Sequence, residues 1–334
     1  MAQPLFPYPI LLADIGGTNA RFSLLKSPDR PATPPFRLRT DSTASFAEAC
    51  QNAISAQGFP KPRSLIVAGA GPVLGKAIDL TNADWRIDGA DLVDALHLDQ
   101  GLTVNDFEAM ALGLPFFQPA DLDAIGATPM GSSGMRLVLG PGTGLGVGAL
   151  AQSSYGYLPI GSEGGHVTLR PLNDREVTIF NAFDAPDDPP SAEMILQGAG
   201  LVRLHNARLK TEDRGDAYAD PAGIADTALE RDGPERRTVL LYLDLLARFA
   251  GDMAVTFLSK GGVFIAGGIA PRLRPLIDPV LFRRRFETKP PHQDLLAGMG
   301  ISLVIADEPA FAGLAAVGAG PERFQLDYRS RLWR

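Results

Sequence analysis

From Pro9 to Lys26 the chain reads as two apolar runs around a polar turn: Ile10-Leu11-Leu12-Ala13, then Asp14-Ile15-Gly16-Gly17-Thr18-Asn19, then Ala20 to Leu25. Two strand-like runs joined by a glycine turn predict a β-hairpin. The pattern recurs over 137–150, where Leu137-Val138-Leu139 and Leu145-Gly146-Val147-Gly148-Ala149-Leu150 flank Gly140-Pro141-Gly142-Thr143-Gly144. A third glycine turn, Gly267-Gly268, follows the apolar strand Gly262-Val263-Phe264-Ile265-Ala266. Further short strands are predicted at Ser64–Ala68, Leu102–Val104 and Ile301–Ile305.

Helical spacing appears over Ser45–Ala56, Asp106–Leu114 and Glu235–Leu258; the last carries Leu240, Leu243, Leu246 and Phe249-Ala250 at intervals of three to four and is expected to form core. Strands alternating with helices give an α/β class. Asn173–Pro190, rich in Asp and Pro, predicts surface loop or irregular helix, and the charged stretch Arg208–Asp220 predicts loop. A length of 334 residues favours two domains over one core.

Composition narrows the class. The balance of 31 basic against 38 acidic residues leaves a net charge of −7, which disfavours nucleic acid, whose binding rests on basic patches. One cysteine, Cys50, excludes an internal disulfide and, with four histidines, a cysteine-rich zinc site, as expected for a reducing cytoplasmic compartment. The uncharged stretch 137–162 is broken by glycines too often for a membrane helix. Pro4, Pro7 and Pro9 interrupt the first apolar run, so no signal peptide is expected.

Chemistry concentrates at the turns. Gly16 and Gly17 allow backbone amides to approach an anion, Thr18 adds a hydroxyl, and Asp14 ends the strand where a carboxylate can hold hydrated magnesium. Taken alone, the turn is equally an ordinary hairpin whose glycines permit positive φ. Gly142-Thr143-Gly144 repeats the same donors, and two such turns suit a polyphosphate. Gly144 to Ala149 also fits G-x-G-x-x-A, but the following residues alternate glycine with apolar side chains up to Tyr155-Gly156-Tyr157, which is strand and not the helix that a dinucleotide fold requires.

Leu102-Thr103-Val104-Asn105-Asp106 places Asp106 at a strand end and a helix start, as an N-cap or as a base taking a proton in phosphoryl transfer. Ser162-Glu163-Gly164-Gly165-His166 sets a carboxylate and an imidazole around a flexible Gly-Gly corner, suited to a polyhydroxylated ligand or else a solvated Glu and a core His. Glu193 reads most simply as a first-turn glutamate favoured by the helix dipole.

The ordered segments D-I-G-G-T-N-A-R-F (14–22), V-N-D-F (104–107), G-P-G-T-G-L-G-V (140–147), S-E-G-G-H-V (162–167), S-A-E (191–193) and G-G-V-F-I-A-G-G-I (261–269) resemble bacterial ATP-dependent glucokinases of the hexokinase and actin-like superfamily. The resemblance runs from near the start to Glu308–Ala319. It implies a two-domain actin-like, ribonuclease H-like fold with an interdomain cleft, a small domain of 1–114 plus 307–334, a large one of 115–306, and a cytoplasmic homodimer. It assigns Asp14, Gly16, Gly17, Thr18 and Asn19 to the first phosphate loop, Gly142, Thr143 and Gly144 to the second, and Gly267 and Gly268 to the turn beside adenosine. Asp106 resembles the catalytic base, and Asn82, Asn105, Glu163, His166 and Glu193 match positions holding sugar hydroxyls. ATP with Mg2+ and glucose are the implied cofactors and substrate, glucose 6-phosphate the product.

Two segments depart from the enterobacterial pattern: 157–162, which is slightly longer, and the Asp/Pro-rich 184–190 before Glu193. A related group of repressors and sugar kinases shares an E-x-G-H segment but carries an N-terminal DNA-binding domain or a cysteine-rich zinc site after the histidine. Here the first turn starts at Asp14 and no cysteine follows His166. A catalytically silent sugar sensor on the same fold is the remaining alternative, and retention of Asp106 with both phosphate turns argues against it.

Overall fold

A computed structural model describes residues 5–80, 85–183, 189–212, 215 and 217–334. In chain order its strands are β1 (Ile10–Ile15), β2 (Asn19–Leu25), β3 (Phe36–Arg39), β4 (Ser64–Gly69), β5 (Val73–Leu74), β6 (Ala77–Asp79), β7 (Arg86–Asp88), β8 (Gln100–Asn105), β9 (Leu122–Ala124), β10 (Arg136–Pro141), β11 (Leu145–Ser153), β12 (Gly156–Ser162), β13 (Gly262–Ile265), β14 (Ile301–Val304) and β15 (Leu332–Trp333). They divide between two compact units: Met1–Gln118 with Leu150–Ile160 and Ala306–Arg334, and Pro119–Ala149 with Gly161–Ile305. Relative to the division drawn from the sequence, segment 150–160 groups with the first unit. Its anchoring is aromatic: Tyr157 and Phe116 rings lie 6.0 and 6.1 Å from Phe324, Arg323 stacks 4.8 Å over Phe116, and Gln325 N donates to Tyr157 O at 2.8 Å.

The first unit is built on a sheet of order β15-β8-β4-β1-β2-β3. Strands β1, β4 and β8 run parallel, in a register that aligns Ile15, Gly69 and Asn105. Their carboxyl ends therefore share one edge, where ligands of open α/β sheets bind. The near-continuous burial of Ile10–Ala13 and Ser64–Gly69 is what a sheet covered on both faces demands. On the flanks, the helix Phe46–Gln57 starts at Ser45, whose hydroxyl accepts from Glu48 N, and stops at left-handed Gly58. The helix Asp106–Gly113 packs on the helix Ala310–Ala319.

A second sheet has the order β12-β11-β10-β13-β14-β9, with β10, β13 and β14 parallel; β9, β10, β13, β14 and the start of β11 lie in the second unit, while the end of β11 and most of β12 belong to segment 150–160. The helix Pro234–Phe257 forms the second unit's core through Leu243, Leu246, Phe249 and Ala250, and Tyr242 Oη donates to Leu196 O at 2.6 Å. Leu240, although on the predicted apolar spacing, is 46% exposed: the buried stripe runs instead through Val239, Tyr242 and Leu243. The predicted loop 208–220 begins as helix. Arg208 sits in the last turns of the helix Gly198–Thr211, 1% exposed, donating to Pro234 O, Thr238 Oγ1 and Glu212; pairing is what allows its charge inside. Likewise Asn173 caps a helix Asp174–Asn181, whose Glu176 is buried against Arg248 at 2.7 Å. Among the described residues no helix is long and apolar enough to cross a membrane.

Candidate active site

The first predicted phosphate turn joins β1 to β2 as expected. Gly16 N donates to Asn19 O at 3.0 Å, and Thr40, a residue sequence reading passed over, locks the turn from β3's end: its hydroxyl donates to Gly17 O at 2.8 Å and its amide to Thr18 O at 3.0 Å. Thr18 is left exposed at the tip. Asp14 keeps 16% of its side chain exposed and faces Arg21 at 3.6 Å; Arg21 Nε is 2.7 Å from Glu308, which also pairs with Arg37 at 2.5 Å. Burial pushes the Asp14 carboxyl up to about 7, Arg21 pulling it down and the charges of Asp106 and Glu308 adding to the rise. Arg21 and Glu308 lay within the family-like segments, but only the fold joins residues 287 apart.

At the end of β8, on the same sheet edge, Asn105 is the N-cap of the helix Asp106–Gly113. Its Oδ1 accepts from Phe107 N and Glu108 N while Glu108 reaches back to Asn105 N, a complete capping box. Asp106 is therefore not the cap. It occupies the first helical position and accepts from Phe107 N at 2.9 Å, and burial pushes it up to about 6 against that bond and weaker ones from its own amide and the Asn105 side chain. Asn105 Nδ2 donates to Gly71 O at 3.1 Å, and the Asn105 side chain also hydrogen-bonds the Asp106 carboxylate. Asn82 lies outside the described residues.

In the second unit, the Gly142-Thr143-Gly144 turn is closed by Gly142 N donating to Gly144 O at 2.8 Å and tied to the helix Gly198–Thr211 by Gly198 N donating to Gly142 O at 2.9 Å. A Cβ at Gly142 would meet nothing within 4 Å, nor is its φ left-handed, so the fold itself does not require glycine there. Thr143 is exposed at the tip. Gly267 stands directly against this turn: its φ is +81° and a Cβ would lie 2.4 Å from Pro141 O. Gly268 faces open space. The structure thus brings the second and third glycine turns together at the carboxyl ends of neighbouring β10 and β13.

The Gly-Gly corner between Glu163 and His166 is closely packed. Gly164 and Gly165 are buried in a tight turn, and a Cβ on Gly165 would lie 2.1 Å from Leu145 O, at the start of β11. His166 Nε2 stands 3.7 Å from Glu163 Oε2 and 3.9 Å from Glu193 Oε1, with the three side chains 60%, 87% and 26% exposed. Glu193 does occupy the first turn of the helix Ala192–Leu196, but it does more than favour the dipole: its Oε2 accepts from Leu145 N at 2.8 Å. One imidazole facing two carboxylates offers donors and acceptors to adjacent hydroxyls.

The family model described as Glucokinase matches residues 11–320. The chain belongs to the glucokinase family. Curated glucokinases of Sinorhizobium medicae (strain WSM419) and Rhizobium etli (strain CIAT 652) are 40% identical over 332 residues and 39% over 331; the alignments cover 98% of this chain and 97% and 96% of those proteins. Among solved structures, a glucokinase from an Antarctic psychrotroph superposes with a TM-score of 0.80 at 28% identity, over 92% of this chain and 98% of that one. A ROK family glucokinase from Streptomyces griseus, solved with glucose and AMPPNP, matches with a TM-score of 0.63 at 20% identity, over 92% and 98%, and speaks for the fold alone. This glucokinase-family chain thus has the two-domain actin-like α/β fold of the sugar kinases.

Proposed function

We propose that the chain transfers the γ-phosphoryl group of ATP to the 6-hydroxyl of glucose, giving glucose 6-phosphate and ADP as the entry to glycolysis. Beyond family membership, the observation that carries the reading is Asp106: a carboxylate released from capping by Asn105, held near pH 6 by burial, on the sheet edge that also bears Asp14. A base of that strength accepts the 6-hydroxyl proton as the phosphoryl group arrives. Glu163, His166 and Glu193 take sugar hydroxyls, and Asn105 and Asn82 are the further sugar partners of this reading. An analogue lacking one hydroxyl leaves one of these polar groups unpaired beneath the bound sugar, which is how such a site selects.

The turn residues Gly16, Gly17, Thr18 and Asn19, and Gly142, Thr143 and Gly144, present amides and hydroxyls to phosphates, and Gly267 and Gly268 border the adenosine. The open faces at Gly142 and Gly268 fit a nucleotide, since a side chain there would fill space the fold leaves free. Magnesium, when bound, would neutralise phosphate charge, and Asp14 is the carboxylate that would hold it through water. Family likeness further supports a cytoplasmic homodimer, to be checked by sedimentation.

The deciding experiment is ADP release from Mg-ATP with glucose, mannose, fructose, glucosamine or no sugar. Strong glucose-dependent turnover, abolished in Asp106→Asn, is the expected result. Turnover with another sugar alone overturns the pocket assignment, and none with any sugar favours a sensor.

A further inference from the structure

Glu193 divides its carboxylate. Oε1 faces His166 at 3.9 Å, on the side that presents hydroxyl partners, while Oε2 accepts from Leu145 N at 2.8 Å. Leu145 is the first residue after the Gly142-Thr143-Gly144 turn, and Gly144 itself leaves only 2.8 Å between a would-be Cβ and Glu193 Oε2. The carboxylate therefore occupies the space beside the turn's last residue and fixes the amide that ends it. On the opposite side, Gly198 N holds Gly142 O, and Gly198 lies five residues beyond Glu193. Both supports of the turn thus come from one short segment, 193–198.

We propose that Glu193 is a positioning residue for the second phosphate turn as well as a sugar partner, so that one side chain links the seating of the sugar to the geometry of the turn that receives the nucleotide. The inference deepens the glucokinase reading and rests on it. A hydroxyl bound at Oε1 draws on the same carboxylate that holds Leu145 N, and a displaced turn in return withdraws Oε1 from His166. A charged acceptor on a backbone amide is strong enough for either effect to register.

The test measures dissociation constants for Mg·AMPPNP without sugar, and for glucose without nucleotide, by calorimetry on the full chain, with thermal unfolding to confirm folding. Glu193→Ala is expected to weaken Mg·AMPPNP roughly tenfold, the size of one lost charge-assisted hydrogen bond. Glu193→Gln keeps an amide oxygen for Leu145 N, so its nucleotide affinity stays within about twofold of the unsubstituted chain while glucose weakens by roughly tenfold or more. Gly144→Ala, which drives a methyl group at Oε2, is expected to weaken glucose although it lies in the phosphate turn. Unchanged nucleotide affinity in Glu193→Ala, or unchanged glucose affinity in Gly144→Ala, overturns the inference alone. Failure of the unsubstituted chain to bind Mg·AMPPNP overturns the underlying reading and the inference with it.

Discussion

Arg331 Nη1 lies 2.7 and 2.6 Å from the two carboxylate oxygens of Glu108, an ion pair closed across 223 residues. Glu108 is 9% exposed and also accepts from Asn105 N, so the pair braces the capping box in which Asn105, and not Asp106, serves as the N-cap. It is flanked by β15, which pairs with β8 through Leu332 and Leu102.

Removing the guanidinium leaves a largely buried carboxylate without its counter-charge. Arg331→Ala is expected to cost about 2 kcal/mol, between the values of exposed and buried pairs. A lowered thermal midpoint, partly restored in Arg331→Lys, checks this, and an unchanged midpoint shows that Glu108 is adequately solvated.

Local patterns carried the elements that build the site. Ser45 with Glu48, and Gly58 beyond the last turn, mark a helix from the residues alone, and the two glycine hairpins fall where the apolar runs stop and restart. What stayed hidden depends on distant partners: Thr40 locking the first turn, Glu308 meeting Arg21, Arg331 meeting Glu108. Charge misled at Arg208, which reads as solvated and is buried because Glu212 and backbone carbonyls satisfy it; spacing misled at Leu240, one position off the buried stripe. Glu193 shows the limit most sharply, since nothing in Ser-Ala-Glu announces a partner at Leu145.

Two glycines of the nucleotide region are expected to respond in opposite ways. Gly142→Ala meets open space with an ordinary φ, so stability stays within about 0.5 kcal/mol while nucleotide affinity falls. Gly267→Ala combines φ +81° with a collision on Pro141 O and is expected to lose about 3 kcal/mol. Thermal midpoints and Mg·AMPPNP titrations of both variants decide; loss of stability in Gly142→Ala refutes the reading of its glycine as space for a ligand.

The rate should titrate with the two carboxylates. Burial pushes Asp14 up to about 7 and Asp106 up to about 6, and the proposed mechanism needs both charged, one to hold magnesium and the other to accept a proton. As pH falls, log kcat/KM for glucose is expected to decline with slope one below about 7 and approach slope two below about 6. A profile flat down to pH 5 removes Asp106 as the base.

Stability should move the other way with pH. The folded carboxyls of Asp14 and Asp106 sit above the ordinary 3.8, so between about 4 and 7 the folded chain holds protons that the unfolded chain releases. Their contribution is complete below about pH 4 and is lost as pH rises through 6 and then 7. Asp106→Asn, which cannot ionise, escapes that loss. At pH 8 it is expected to exceed the unsubstituted chain by about 1–2 kcal/mol, less than the full shift implies because Asp106 keeps a partly exposed edge that water can solvate. At pH 4 the two proteins should melt together, so paired melting curves at the two pH values give the sign directly. A variant less stable at pH 8 than at pH 4, relative to the unsubstituted chain, means that Asp106 is held ionised by the fold, and burial is then not what governs its charge.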